Sequence, residues 1–158
     1  MILQIVGFKN SGKTTLMEHT VKFLKSKGYT VATIKHHGHD VQDIELQENN
    51  VDHMKHFQAG ADQSIVQGSA YQQTVTRAHK QNLTQIIDES VTITCNIILV
   101  EGFKNEEFDK VVVYRTQEEL EQLKQLSHVL FCYHFQEENA QANYEKWLID
   151  WIEQRTDI

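Results

Sequence analysis

Proline is missing from all 158 residues, an unusual composition that by itself points to no function. Cysteine is nearly missing. Cys95 and Cys132 each lie beside a strand-like apolar run, without the C-x-x-C spacing of a zinc or redox site, and read as buried reduced thiols. No apolar stretch approaches the ~20 residues that span a bilayer. The N-terminus lacks the charged, apolar and small-residue order of a secretory signal, so the expected location is the cytoplasm. Lysine and arginine form no dense run and the net charge is -7, which argues against a nucleic-acid backbone as main partner, since phosphate neutralisation needs a basic face. A local anion site stays compatible. Arginine occurs only as Arg77, Arg115 and Arg155, and no N-K-x-D guanine-reading motif is present.

What remains is ordinary for a globular chain, with 40% hydrophobic and 23% charged residues, and the length fits one domain spanning 1–158. Its organising stretch is the N-terminus. A strand-like run, Ile2 to Val6, leads into Gly7-Phe8-Lys9-Asn10-Ser11-Gly12-Lys13-Thr14, which fits the phosphate-loop spacing G-x-x-x-x-G-K-[ST]. Backbone N–H groups must turn inward around phosphate oxygens, so Gly7 and Gly12 supply conformations that a Cβ would obstruct. Lys13 places a compact positive charge on the β- and γ-phosphates, Thr14 offers a hydroxyl to Mg²⁺, and the following helix adds the positive end of its dipole. Asn10, Ser11 and Thr15 complete the candidate cradle. The helix reads over 14–27, with Leu16, Met17, Phe23 and Leu24 on one face and Gly28 at its close.

Thr30 to Lys35 alternates as a second strand and completes a βαβ unit. Lys35-His36-His37-Gly38-His39-Asp40 leaves it at the carboxyl end, where open parallel sheets bind ligands. These histidines read as a transition-metal site, as polar contacts to phosphate or a second ligand, or as a solvated loop. Asp40 and Asp43 could contact Mg²⁺ or lie in solvent. Asp52 is placed to cap a short helix through about Gln58, and the small residues Ala59-Gly60-Ala61 suit close backbone approach. Two strand-like pieces between Gln63 and Arg77, bent at Gly68, predict a hairpin. Asn82 with Gln85, and Thr116 with Glu119, resemble capping boxes. Ile97 to Val100 is a continuous apolar run suited to a buried parallel strand; it ends in Glu101, a carboxylate in the place of a Walker B acid that serves Mg²⁺ or water. Lys110 to Arg115 and Ser127 to Phe135 supply further strands. Tyr144, Trp147, Leu148, Trp151 and Ile152 recur at helical spacing in an amphipathic closing helix. GFKN occurs at 7–10 and again at 102–105, but the flanks differ and the recurrence reads as coincidence. The predicted class is α/β: a P-loop NTPase-type, mostly parallel sheet flanked by helices, with an inserted β-hairpin.

Four segments carry a resemblance: GFKNSGKTTL at 7–16, TIKHHGHD at 33–40, the block Asp52 to Ala61 with Lys55 and His56, and ILVEGFK at 98–104. In this order they resemble the molybdopterin-guanine dinucleotide biosynthesis protein B family over most of the first 115 residues. The resemblance implies a GTP-binding protein with weak hydrolysis, acting as a dimer beside the guanylyltransferase that joins GMP to molybdopterin. Lys13 and Thr14 would hold phosphate and Mg²⁺, Glu101 would serve the metal or water, and His36, His39, Asp52 and His56 would line the adjacent surface. One departure is Asn96, where the family usually has an acid. Two other functions compete: a P-loop small-molecule kinase, disfavoured because the three arginines are not clustered, and a metal-insertion GTPase using the histidine loop.

Overall fold

The computed structural model describes residues 1–37 and 43–156. In chain order the elements are β1 (Ile2–Gly7), α1 (Lys13–Ser26), β2 (Val31–Lys35), α2 (Asp52–Gln58), β3 (Gln63–Gln67), β4 (Gln72–Thr76) and α3 (Leu83–Ser90). β5 (Ile97–Glu101), β6 (Asp109–Val113), α4 (Gln117–Leu123), β7 (Val129–Tyr133) and α5 (Ala140–Thr156) follow. Five strands form one sheet in the order β2-β5-β1-β6-β7, and every pairing in it is parallel, as the continuous apolar runs predict. β3 and β4 form a separate antiparallel hairpin, in register from Gln63 opposite Thr76 to Gln67 opposite Gln72. Among the described residues no helix is long and apolar enough to cross a membrane.

Alternation along the strands divides the core. Leu3, Ile5, Leu99, Val111 and Val113 bury one face beneath α1 and α5, which contribute Leu16, Leu24, Tyr144, Leu148 and Trp151. On the other face Val6 and Val112 pack with Leu120 and Leu123 of α4, while Ile34 and Val100 pack with Leu83 of α3. Between those two clusters the same face carries polar residues, Gln4 and Lys110, register partners on neighbouring strands and both fully buried.

Their burial follows from the connection above them. β5 and β6 flank β1, so residues 102–108 must cross it, whereas a parallel crossover ordinarily takes a dozen or more residues and is usually helical. A crossover this short satisfies few of its own carbonyls, Phe103 O accepting from Glu106 N at 3.0 Å. Gln4 Nε2 donates to Gly102 O at 3.0 Å and Phe103 O at 2.7 Å, and Lys110 Nζ donates to Phe108 O at 3.0 Å and to Glu106 O. Burial lowers the Lys110 pKa, and the carbonyls give its ammonium the partners that a buried charge requires.

Local expectations mostly hold. Asn82 and Gln85 form the full reciprocal capping box, and α1 closes on Gly28 at φ 86. Asp52 does not cap α2: Val51 holds that position, and Asp52 is the first helical residue, paired with Lys55 at 3.1 Å. Only half of the second capping box forms. Glu119 N donates to Thr116 Oγ1 at 3.3 Å, but the Glu119 carboxylate turns to the Arg115 guanidinium and accepts from Arg115 N at 2.8 Å, a charged partner displacing a neutral one. Gly60 has open space around it, so its positive φ of 115, not close approach, calls for glycine. Cys95 and Cys132 are unpaired but only half-buried.

Candidate functional site

The phosphate loop is shaped by what cannot fit beside it. A Cβ on Gly7 would lie 2.4 Å from Val113 O and 2.6 Å from Ser11 Oγ, so a side chain there would break the contact between β1 and the end of β6. Ser11 is turned inward, 3% exposed and with its hydroxyl unpartnered, so its side chain fills the loop. Asn10 and Gly12 take positive φ, 59 and 97, and bring the chain into α1. Gly12 is the N-cap, no side chain caps the helix, and Leu16 N is the first to bond back, to Gly12 O at 3.0 Å. The N–H groups of Lys13, Thr14 and Thr15 therefore have no intrahelical partner at the positive end of the dipole.

Lys13 folds over the loop and donates to Phe8 O at 2.6 Å. Its pKa is lowered, chiefly by burial; Glu101 opposes that shift, while Lys35 and Arg115 add to it. Lys13, Lys35 and Arg115 stand against Glu101 and Glu119, which pair with Lys35 and Arg115, so three cations meet two carboxylates around the loop. Glu101, only 8% exposed, accepts from Thr14 Oγ1 at 3.1 Å on both carboxylate oxygens and pairs with Lys35 Nζ at 3.0 Å. Parallel register places Lys35 directly beside Glu101 at the same strand ends. A hydroxyl and a buried carboxylate are hard oxygen donors that fit Mg²⁺, which usually binds one or two carboxylates plus substrate phosphates.

The remaining candidates divide. His36 reaches the site's edge: its N–H donates to Glu101 O at 2.9 Å, and its exposed ring packs on Phe103 with centroids 4.5 Å apart. Asp52 and His56 belong to α2, which packs on the hairpin strand β3, and no hydrogen bond, ion pair or ring contact among the described residues joins either to the phosphate loop. His39 and Asp40 lie outside the described residues. Asp43 accepts from Ile44 N at 2.8 Å on an exposed segment. Among the described residues no three His, Cys, Asp or Glu side chains gather as metal ligands. Asn96 precedes β5 at the end away from the phosphate loop, where its Oδ1 accepts from Thr30 N at 2.8 Å and Thr30 Oγ1 at 2.7 Å.

A cleft of about 430 Å³ opens on the other side of the loop, between α1 and the segment joining β7 to α5. Thr15, His19, Phe135, Glu137 and Asn139 are among its lining residues. Phe135 abuts Gly12, where a Cβ would lie 2.3 Å from the ring. Tyr114 donates its hydroxyl to Glu137 at 2.7 Å, and this bond to a carboxylate pushes the phenol pKa up to about 12. The two GFKN segments also meet: Lys104 Nζ lies 6.0 Å from the centre of the Phe8 ring.

Residues 2–132 match the sequence model of the family described as molybdopterin guanine dinucleotide synthesis protein B, MobB. The chain belongs to the MobB family. It is 33% identical over 132 residues to a Bacillus subtilis (strain 168) protein described as a probable molybdopterin-guanine dinucleotide biosynthesis adapter protein, covering 84% of this chain and 75% of that one. It is 31% identical over 120 residues to the adapter protein of that name from Haemophilus influenzae, covering 73% of this chain and 64% of its relative. The crystal structure of a MobB homolog from Bacillus stearothermophilus superposes with a TM-score of 0.75 at 26% identity, covering 97% and 98% of the two chains. Glu137 lies beyond residues 2–132, the part that the family's sequence model matches.

The spacing singles out Lys13, Thr14 and Glu101 but not Lys35, which pairs with Glu101, or Phe135, which lies against Gly12. Lys35 was detectable as the last residue of a strand whose neighbour ends in Glu101. Phe135 was not, because nothing local in the sequence brings it to Gly12.

Proposed function

We propose that this MobB-family chain is a GTP-binding adapter of molybdopterin guanine dinucleotide biosynthesis, using Mg²⁺ and working as a homodimer beside the guanylyltransferase. The observation that carries the reading is the contact of Thr14 with Glu101 next to Lys13, Lys35 and Arg115, at a helix N-terminus with no side-chain cap. On binding, Lys13 exchanges Phe8 O for the β- and γ-phosphates, and the first-turn N–H groups of α1 donate to phosphate oxygens. Thr14 and Glu101 would hold Mg²⁺, whose charge would offset that of the phosphates. Guanine as the base, rather than adenine, rests on family membership.

Turnover is slow in this reading. An arginine finger is worth about 10³- to 10⁵-fold in phosphoryl transfer. Arg77 stacks on Phe57, Arg155 pairs with Asp109, and Arg115 pairs with Glu119, so each of the three has another partner. Such a protein presents or senses nucleotide more than it consumes it.

The test is equilibrium binding of labelled GTP and ATP with Mg²⁺ to wild type and to Lys13→Ala, followed by addition of each to guanylyltransferase, molybdopterin and GTP. Lys13→Ala should fold and lose triphosphate binding, and only wild type should raise cofactor output. Unchanged GTP affinity in the variant removes the phosphate-loop reading. Equal output with and without wild type removes the adapter role, and transfer of phosphate to a small hydroxylated acceptor moves the assignment to a kinase.

A further inference from the structure

We infer that the cleft between α1 and the β7–α5 segment is the base subsite of the bound nucleotide, and that Glu137 selects guanine there. The inference rests on the nucleotide-binding reading above and adds the residue that reads the base. Position comes first. Thr15 belongs both to the first turn of α1 and to the cleft wall, so a ligand whose phosphates lie on that turn extends directly into the cleft. The volume of about 430 Å³ is of the size that takes a small organic ligand. Phe135, 45% exposed and held edge-on by Tyr133 with centroids 4.9 Å apart, offers an apolar ring at its mouth against which a purine can pack.

Selection follows from donors and acceptors. An ionised carboxylate only accepts hydrogen bonds, with about four lone-pair sites. Guanine presents two adjacent donors on its Watson–Crick edge, N1–H and the 2-amino group, whereas adenine presents a lone pair at N1. Glu137 Oε1 accepts from the Tyr114 hydroxyl, which orients the carboxylate and leaves its other lone pairs for the base. A carboxylate so placed accepts both guanine donors and opposes the adenine lone pair. The guanine-reading acid therefore sits after the last strand of the sheet, in a chain that has no N-K-x-D motif.

The experiment measures affinities of wild type, Glu137→Gln and Tyr114→Phe for GTP, ITP, XTP and ATP with Mg²⁺. Wild type should prefer GTP over ITP, which lacks the 2-amino group, and over ATP. Glu137→Gln should lose roughly tenfold to a hundredfold in GTP affinity, the usual weight of hydrogen bonds to a charged group, while keeping ATP affinity. Its amide should gain XTP, because an N–H can donate to the 2-oxo group that a carboxylate repels. Tyr114→Phe should narrow the GTP-to-ATP ratio by a smaller factor. Equal wild-type affinity for GTP and ATP, or an unchanged ratio in Glu137→Gln, overturns the assignment of Glu137 and leaves the phosphate-loop reading intact. Failure of that reading is separate: wild type and Lys13→Ala would then bind every triphosphate alike.

Discussion

Gly12→Ala should destabilise the protein through two separable effects, which a double-mutant cycle with Phe135→Ala can divide. The first is backbone strain. A residue with a Cβ at φ 97 leaves the region open to L side chains, costing about 1–2 kcal/mol. The second is overlap: the new Cβ would lie 2.3 Å from Phe135 Cε2 and 2.9 Å from Cζ, where carbon atoms prefer about 3.5–4.0 Å. Phe135 is partly exposed, so its ring swings out rather than forcing α1 to move, and the cost is its edge-on contact with Tyr133, about 0.5–1.5 kcal/mol. The single variant should therefore lose about 1.5–3.5 kcal/mol. At about 2–4 °C per kcal/mol for a chain of this length, Tm falls by roughly 3–14 °C. In a Phe135→Ala background the overlap vanishes, and Gly12→Ala should cost only the backbone share. Thermal unfolding of the four proteins gives a coupling near 1 kcal/mol; a coupling of zero refutes the contact between Gly12 and Phe135.

Other outcomes follow from the same geometry. Glu101→Gln keeps the shape of the site but removes its charge, so hydrolysis should fall more than GTP binding in single-turnover and binding assays; equal turnover would make the acid structural. Lys35→Ala removes the cation paired with Glu101, so the Mg²⁺ concentration needed for half-maximal GTP binding should drop, and a rise would mean that Lys35 aids the metal instead. Lys110→Met leaves the Glu106 and Phe108 carbonyls without their donor, an expected loss of about 2–4 kcal/mol by denaturant titration. Because burial lowers the Lys110 pKa, the unfolded chain holds the proton more firmly in the window below 10.5. Wild-type stability relative to Lys110→Met should therefore rise as pH climbs through that window, and a flat difference would show that the ammonium is not desolvated.

The sheet was legible in the sequence because its strands are short β-branched runs, and buried parallel strands need little else. Lys13, Thr14 and Glu101 were legible because their spacing and strand-end positions are local properties. Competition between neighbours was not. Glu119 looked like a capping partner for Thr116 until Arg115, one residue before the cap, offered it a charge, and Asp52 yielded its capping place to Val51. The roles of Gln4 and Lys110 were not legible, because their partners come from a crossover about a hundred residues from one and only a few from the other. The cleft draws its walls from α1, β7 and the start of α5, three segments that only folding joins.

The short crossover divides the site by the time at which each wall is set. Residues 102–108, stitched to the sheet by Gln4 and Lys110, cannot open without exposing two buried polar side chains, so this segment belongs to the same cooperative unit as the strands and should exchange its protected amides only on global unfolding. The segment after β7 is tied less deeply: the half-buried His134 reaches Arg115 O at 3.3 Å, Phe135 and Glu137 are exposed, and the Glu137 carboxylate is held by a single phenol. One side of the nucleotide would thus meet a surface finished when the chain folds, and the other a surface finished anew at each encounter.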